Sequence, residues 1–302
     1  MDRFEAIRAF LAAVDGGSLS AASRRLEVPL PTLSRRVSDL EAHLGTQLLV
    51  RTSRKVLLTD AGRAFAVAGR RLLEDLGDAE RAAAGEYQTP RGDLLVTASL
   101  MFGKRHLTPT VLEFLAAYPA VNVRVVLSDQ VIDLVDAGVD VAVRIGALPD
   151  SGLVAQTVGQ ARWLICASPD YLARRGHPET PESLGQHDCI AFEGLQPYRT
   201  WPFGTGQQAR MVDIRPRFSG NTADAVIDAA NAGLGVARLM SYQAEPEIRE
   251  GRLVRLLADF APGPAPIHLV HTGPTLVPQK LRAFLDFVGP RLKARLKRLD
   301  DL

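Results

Sequence analysis

The chain is predicted to be a multi-domain α/β protein, with a small helical head, one long helix and a two-lobed α/β body. Three observations predict this. Residues 1–58 carry three short apolar patterns of helical period and then a hairpin-like pair of strands. Residues 59–85 keep one apolar stripe without a break. From residue 91 onward, strand-like runs alternate with helical ones.

In residues 2–14, Phe4, Ile7, Phe10, Leu11 and Val14 share one helical face, and "DGG" stops the helix. Ser18 is placed to cap a second helix, Leu19–Leu26. After "EVPLP", a third helix puts Leu33, Val37, Leu40 and Leu44 on its inner side. Thr32, Arg35 and Asp39 fall near the opposite side, with Ser34 and Arg36 on the flanks. Proline is tolerated in a first helical turn, where amides lack intrahelical acceptors anyway. Pro31 disfavours the α region at Leu30, so the helix is expected to begin at about Pro31. Two short helices joined tightly, the second polar outside, make a helix-turn-helix. After Gly45, "QLLVRTSRKVLLT" reads as two strands around a tip at Ser53 and Arg54, which is a wing.

Thr59 is the expected cap of the long helix. Its stripe runs through Ala61, Phe65, Ala68, Leu72, Leu76, Ala79 and Ala83. About 25 residues at ~1.5 Å each give a rod of roughly 37 Å. An alanine-rich stripe suits close packing on a second helix. Packing on its own domain is the plain alternative, but the length favours a partner subunit. Phe65, Ala68, Leu72, Leu76 and Ala79 are the expected dimer contacts.

Beyond Arg91, "DLLVTAS", "VNVRVVLS" and "VDVAVRIG" are strand-like, with helical stretches at 107–118 and 131–137. A second set follows in "RWLICAS", "CIAF", "RPRFSG" and "GVARL", with helices near 169–174 and 222–232. "PIHLVHT" and a basic helix at 278–299 return to the first set. The alternation predicts parallel α/β units in two lobes with a cleft between them. The expected boundaries are 1–58 for the head, 59–90 for the linker helix and hinge, and 91–302 for the body. Lobe I takes about 91–161 plus 267–302, and lobe II about 162–266.

The 302 residues are 46% hydrophobic and 23% charged, a soluble globular composition. The net charge of +2 does not by itself argue for nucleic acid. Residues 24–55, however, hold seven basic and three acidic side chains. Such a patch suits a phosphate backbone, with a solvated face as the plain alternative. No apolar run is long enough to span a bilayer, and "MDRFEAIRAF" is not a signal peptide, so a cytoplasmic location is expected. Cys166 and Cys189 lack metal-ligand spacing and read as buried thiols. There is no HExxH and no GxSxG. "GLGVAR" lacks the third glycine of a dinucleotide fingerprint and precedes a strand. Ser99 and His106 share a stretch, but no triad follows from that. No cofactor and no enzymatic activity are expected.

The stretch "FLAAVDGGSLSAASRRLEVPLPTLSRRVSDLEAHLGTQLLVRTSRKVLLTDAG" carries a specific succession: GS-S-AA, LSR, LE-LG and R-R-LT-AG. Later, "YPAVNVRVVLSD", "DVAVRIG", "SPDYLARRG" and "NAGLGVARL" occur in the matching order. With these residues the chain resembles the LysR-type transcriptional regulators over essentially its whole length. The resemblance implies a winged helix-turn-helix, a dimerising linker helix and a two-lobed domain like type II periplasmic binding proteins. It implies double-stranded promoter DNA as a partner, a homodimer or homotetramer, and control by a small organic acid. RNA polymerase is a further candidate partner.

Many family members have a serine and a polar residue where this chain has Pro29 and Leu30. DNA reading is therefore expected to shift to Thr32, Ser34, Arg35 and Arg36. Arg35 can fork onto guanine, Ser34 can hold a phosphate and Leu30 can meet a thymine methyl. For Arg36 a surface ion pair is the equal alternative. Ser18 and Pro31 complete the expected face, and Arg51, Arg54 and Lys55 of the wing are expected on phosphates or in the minor groove. The expected effector contacts follow strand ends: Ser99, Met101 and Phe102 after the first, Ser128 after the second and Arg144 at the third. Asn221 and Thr222 start a helix. Each has a plainer role open to it: Ser128 as a turn residue, Asn221 or Thr222 as a cap, Arg144 as an inter-lobe ion pair. A free-standing binding protein or an enzyme using the α/β cleft is the competing class, and the specific N-terminal match argues against both.

Overall fold

The computed structural model describes residues 2–51, 56–83, 89–130, 132–135, 137–150, 152–194, 198–273 and 277–297. They form two compact units: Met1–Thr89 with Val135–Gly138, and Pro90–Leu134 with Val139–Leu302.

The first unit begins with α1 (Arg3–Asp15), whose first two free amides, of Phe4 and Glu5, are taken by the Asp2 carboxylate. The Ser18 hydroxyl caps α2 (Leu19–Leu26), accepting from the Ala21 amide at 3.1 Å. Glu27, in the left-handed region at φ 54°, turns the chain toward α3 (Leu30–Leu44). The helix starts one residue earlier than expected. The Leu33 amide donates to the Pro29 carbonyl at 3.0 Å, which closes the first turn around Leu30. Pre-proline bias is a preference, and this hydrogen bond outweighs it. Phe10, Leu33, Val37, Leu40, Leu48 and Leu49 form the buried core. Glu41 receives the Leu48 and Leu49 amides at 2.9 and 3.0 Å, so α3 holds the first wing strand directly. β1 (Leu49–Arg51) and β2 (Val56–Leu58) pair antiparallel. Ser53, Arg54 and Lys55 lie outside the described residues, as does the Arg51 side chain.

The long helix α4 (Asp60–Ala83) starts at Thr59, whose hydroxyl accepts from the Gly62 amide at 2.9 Å. Two stripes run along it. Gly62, Ala66 and Gly69 are buried, and Phe65 and Leu73 pack on the head's core, with the Phe65 and Phe10 rings edge to face at 5.6 Å. Ala61, Ala64, Ala68 and Leu72 are exposed on the other stripe. Phe65, one of the expected dimer contacts, is half-buried against its own domain's core. Leu76 is half-buried, and the Ala79 side chain lies outside the described residues.

The second unit contains two five-stranded sheets. The first has the order β4 (Val121–Leu127), β3 (Gly92–Ala98), β5 (Val141–Ile145), β14 (Ala265–His271), β6 (Val154–Ala161). The second has the order β11 (Pro216–Gly220), β8 (Cys189–Phe192), β12 (Val236–Met240), β7 (Trp163–Ala167), β13 (Val254–Leu256). Both are mixed: β3 is parallel to β4 and β5, and β8 to β11 and β12, as the alternation predicts, whereas β14 is antiparallel to β5 and β6, and β12 to β7. The chain leaves lobe I through β6 into β7 and returns through β14, with Ala265 opposite Ala161. A returning strand beside the departing one must run against it. A hairpin of β9 (Thr200–Phe203) and β10 (Arg210–Asp213) lies beside the second sheet in sequence.

The helices are α5 (Leu100–Phe102), a π-helical turn Gly103–Leu107, α6 (Thr108–Ala117), α7 (Pro169–Arg175), α8 (Ala223–Asn231), α9 (Ser241–Arg249) and α10 (Gln279–Lys297). Phe284, Val288 and Leu292 of α10 are buried with Phe114 of α6 over the first sheet. The helix expected at 131–137 is absent among the described residues there, which form irregular chain and turns. The Ile132 carbonyl, which a helix would use, instead accepts from the Arg144 guanidinium. Cys166 and Cys189 are free and buried, and burial pushes both thiols up to about 12. No helix among the described residues is long and apolar enough to cross a membrane.

Candidate DNA-reading face and ligand cleft

The outer face of α3 is open. Leu30, Pro31, Thr32 and Arg35 are exposed, and Arg35 has only a 3.9 Å contact to Asp39, with 84% of its side chain in solvent. A long guanidinium with so loose a partner is free to reach a base edge. Ser34 is half-buried. Arg36 is different. It donates to Glu5 of α1 at 3.0 Å and so ties the two helices together. Its ion-pair alternative describes what the structure shows. Ser18 spends its acceptor on the α2 cap and keeps its hydroxyl proton for an outside partner.

In the second unit the ends of β3, β4 and β5 meet the start of lobe II around a cavity of about 290 Å³. That lies at the small end of the ~300–1,000 Å³ range of ligand sites. Ligands of open α/β sheets gather at the carboxyl ends of parallel strands, and this cavity does too. Lobe I supplies Ser99, Ser128, Asp129, Gln130 and Arg144. Lobe II supplies Trp163, Phe192, Met240, Tyr242 and Gln243.

Three of the expected effector residues, Ser99, Ser128 and Arg144, reach this wall. Ser99 Oγ is buried without a hydrogen-bond partner; Tyr242 is its polar neighbour. Ser128 Oγ accepts from the Gln130 amide at 3.1 Å, a turn contact that leaves its proton available. Arg144 donates to the Ile132 carbonyl, and burial lowers its pKa while the Asp133 carboxylate acts the other way. The other four do not line the cavity. Met101 and Phe102 are buried core side chains, because the turn from β3 into α5 points them inward. Asn221 is exposed, and the Thr222 hydroxyl caps α8 on the Ala225 amide at 3.3 Å.

Sequence reasoning missed Asp129, Trp163, Tyr242 and Gln243. Asp129 caps the turn after β3: its Oδ1 accepts from the Leu100 amide at 3.0 Å. Tyr242 and Gln243 open α9, a helix hidden in the sequence by Pro246. Proline at that position leaves the Tyr242 carbonyl, four residues back, without an amide. Arg105 of the π-helical turn fills the gap, donating to the Tyr242 and Gln243 carbonyls at 2.9 and 3.1 Å. Lobe I thus holds the lobe II wall in place. Arg105→Ala is expected to leave a buried carbonyl unpaired, at about 1–3 kcal/mol. A lower thermal midpoint and faster proteolysis of the effector domain would show it; an unchanged midpoint would contradict it. Neighbouring His106 is held neutral, its pKa brought down to about 4 by burial and then by Arg295 and Arg105.

An open arginine-bearing helix in a helix-turn-helix and a ligand-sized cleft in a two-lobed domain define a ligand-responsive DNA-binding regulator. Residues 4–63 match the bacterial regulatory helix-turn-helix of the lysR family, and residues 87–293 match the LysR substrate binding domain. The chain belongs to the LysR family of transcriptional regulators. It is 34% identical over 287 residues to an HTH-type transcriptional regulator of Xanthomonas campestris, covering 94% of this chain and 83% of that protein. CrgA of Neisseria meningitidis is 32% identical over 289 residues, covering 95% and 96%. The solved structure of CrgA, a LysR-type transcriptional regulator, superposes with a TM-score of 0.61 at 31% identity, over 95% of this chain and 98% of that one. The virulence activator AphB of Vibrio cholerae gives 0.60 at 30% identity, over 94% and 97%.

Proposed function

We propose that this regulator reads its operator as a homodimer through Thr32, Ser34 and Arg35, with Leu30 and Pro31 against the groove wall. The division into a head at 1–58, a linker at 59–90 and an effector body at 91–302 belongs to the same reading. Ser18 and the wing residues Arg51, Arg54 and Lys55 supply backbone contacts that set register without reading sequence. The exposed stripe Ala61–Ala64–Ala68–Leu72 of α4 is the dimer seam, and two dimers on neighbouring sites make the tetramer. A small organic acid enters the cavity and shifts the protein between arrangements on cytoplasmic DNA, and thereby its contact with RNA polymerase. Such a ligand works only through different affinities for the two arrangements; about 1–3 kcal/mol of coupling suffices.

The observation that carries this reading is the exposure of Arg35, 84% of its side chain open on the outer face of α3. Arg35→Ala is expected to weaken operator binding by about 1–3 kcal/mol while changing random-DNA binding much less. Gel shifts on both DNAs at one salt concentration measure it. An unchanged operator preference would remove Arg35 from the reading surface.

A further inference from the structure

The walls of the cleft carry opposite charges. Among the described residues of the lining, Arg144 is the cation and Asp129 the anion. Arg144 is already engaged with the Ile132 carbonyl. Asp129 uses Oδ1 for the Leu100 amide, and no described residue donates to its Oδ2. The charge of Asp224, in the first turn of α8, also acts on Asp129. The start of α8 therefore already has a carboxylate against its positive end, beside a second one on the cavity wall. A plain anion entering there would meet repulsion. A protonated amine would meet attraction and a free acceptor.

Nearby, Ser99 Oγ is a buried hydroxyl beside Tyr242, and Ser128 keeps its proton to donate. Trp163, Phe192 and Met240 give the remaining wall an apolar surface. Burial raises the pKa of Asp129, and Asp224 raises it further, which is the signature of a carboxylate short of a counter-charge.

We infer that the cleft takes an amphoteric acid: a small molecule with a carboxylate for Arg144 and Ser128, a protonated amine for Asp129, and an apolar or aromatic side group for Trp163 and Phe192. The inference rests on the proposed effector role of the cavity and narrows its ligand class. Apolar α-amino acids fit this description. Their counterparts without the amine, and dicarboxylates of similar size, do not.

Calorimetric titration of the full-length protein with matched pairs tests it: phenylalanine against 3-phenylpropionate, and leucine against 4-methylpentanoate. The amino member of at least one pair should bind tenfold or more tightly than its partner. In Asp129→Asn the ratio should fall below threefold. Asparagine keeps a carbonyl for the Leu100 amide, and an unchanged thermal midpoint verifies that the loop stays capped. Equal or tighter binding of the amine-free members overturns the inference, as does a ratio that survives in Asp129→Asn. If amine-free acids bind and shift operator affinity, the amphoteric class is wrong while the effector role of the cleft stands. If neither series binds, the amphoteric class is likewise wrong, and the DNA-reading assignment stands or falls on Arg35→Ala.

Discussion

Leu72→Glu is expected to split the protein into monomers and to cost 10²–10⁴ in operator affinity, the usual loss when two linked half-site contacts become independent. Leu72 is 47% exposed in the isolated chain, on the stripe with Ala61, Ala64 and Ala68. Alanines on both sides of it let a second helix approach closely, so the leucine becomes the principal apolar contact of the seam. A carboxylate there must either stay solvated, which separates the helices, or be buried unpaired, which is costly. The head should remain folded, because its core uses Phe65 and Leu73 on the other stripe. Phe65→Ala provides the contrast. It removes the ring packed on Phe10 and should lower the stability of the head by about 3 kcal/mol or more. Light scattering and gel shifts separate the two outcomes. A Leu72→Glu protein that remains dimeric with intact affinity would place the seam elsewhere.

The helical head was readable because its signals are local. Ser18, Thr59 and Gly45 mark helix ends by their own chemistry, and the inner residues of α3 recur at one period. On α4 the same periodicity was ambiguous. Phe65 and Leu72 lie about 20° apart by spacing, yet Phe65 packs on the head's core while Leu72 is exposed. In the cleft, strand ends indicated which segments arrive: those of Ser99, Ser128 and Arg144. They could not indicate aim. Met101 and Phe102 come two and three residues after Ser99, yet the turn into the π-helical segment points them into the core. Tyr242 and Gln243 were hidden for a different reason. Their helix contains Pro246, and what makes that tolerable is Arg105, some 137 residues away in sequence. Periodicity has no access to a contact of that range. The antiparallel crossing of β14 was missed for a related reason, since strand direction depends on where the chain re-enters lobe I.

Arg238→Ala is expected to destabilise lobe II by about 3–4 kcal/mol, whereas Arg238→Met should leave it as stable as wild type or more so. Arg238 lies on β12, between β7 and β8, and is only 6% exposed. Its guanidinium sits 4.7 Å over the Trp163 ring and 5.8 Å from that of Trp201. Among the described residues no carboxylate pairs with it, and its Nη1 is buried without an acceptor. Burial brings its pKa down to about 10. The charge is therefore held by two aromatic faces alone, an attraction worth about 0.5–2 kcal/mol, set against a large desolvation cost. Alanine removes the stem as well and leaves a gap between two indoles. Methionine fills the gap with a flexible apolar chain, keeps contact with both rings and removes the cost of the buried charge. No carboxylate is orphaned by the change. Urea unfolding followed by fluorescence reads the event at its source, because both tryptophans of the chain flank Arg238. Trp163 also lines the ligand cavity, so ligand titration of the methionine variant shows whether the guanidinium merely supports that wall. Should methionine destabilise as much as alanine, the positive charge itself would be what the lobe needs, and the account of Arg238 as packing between two rings would be wrong.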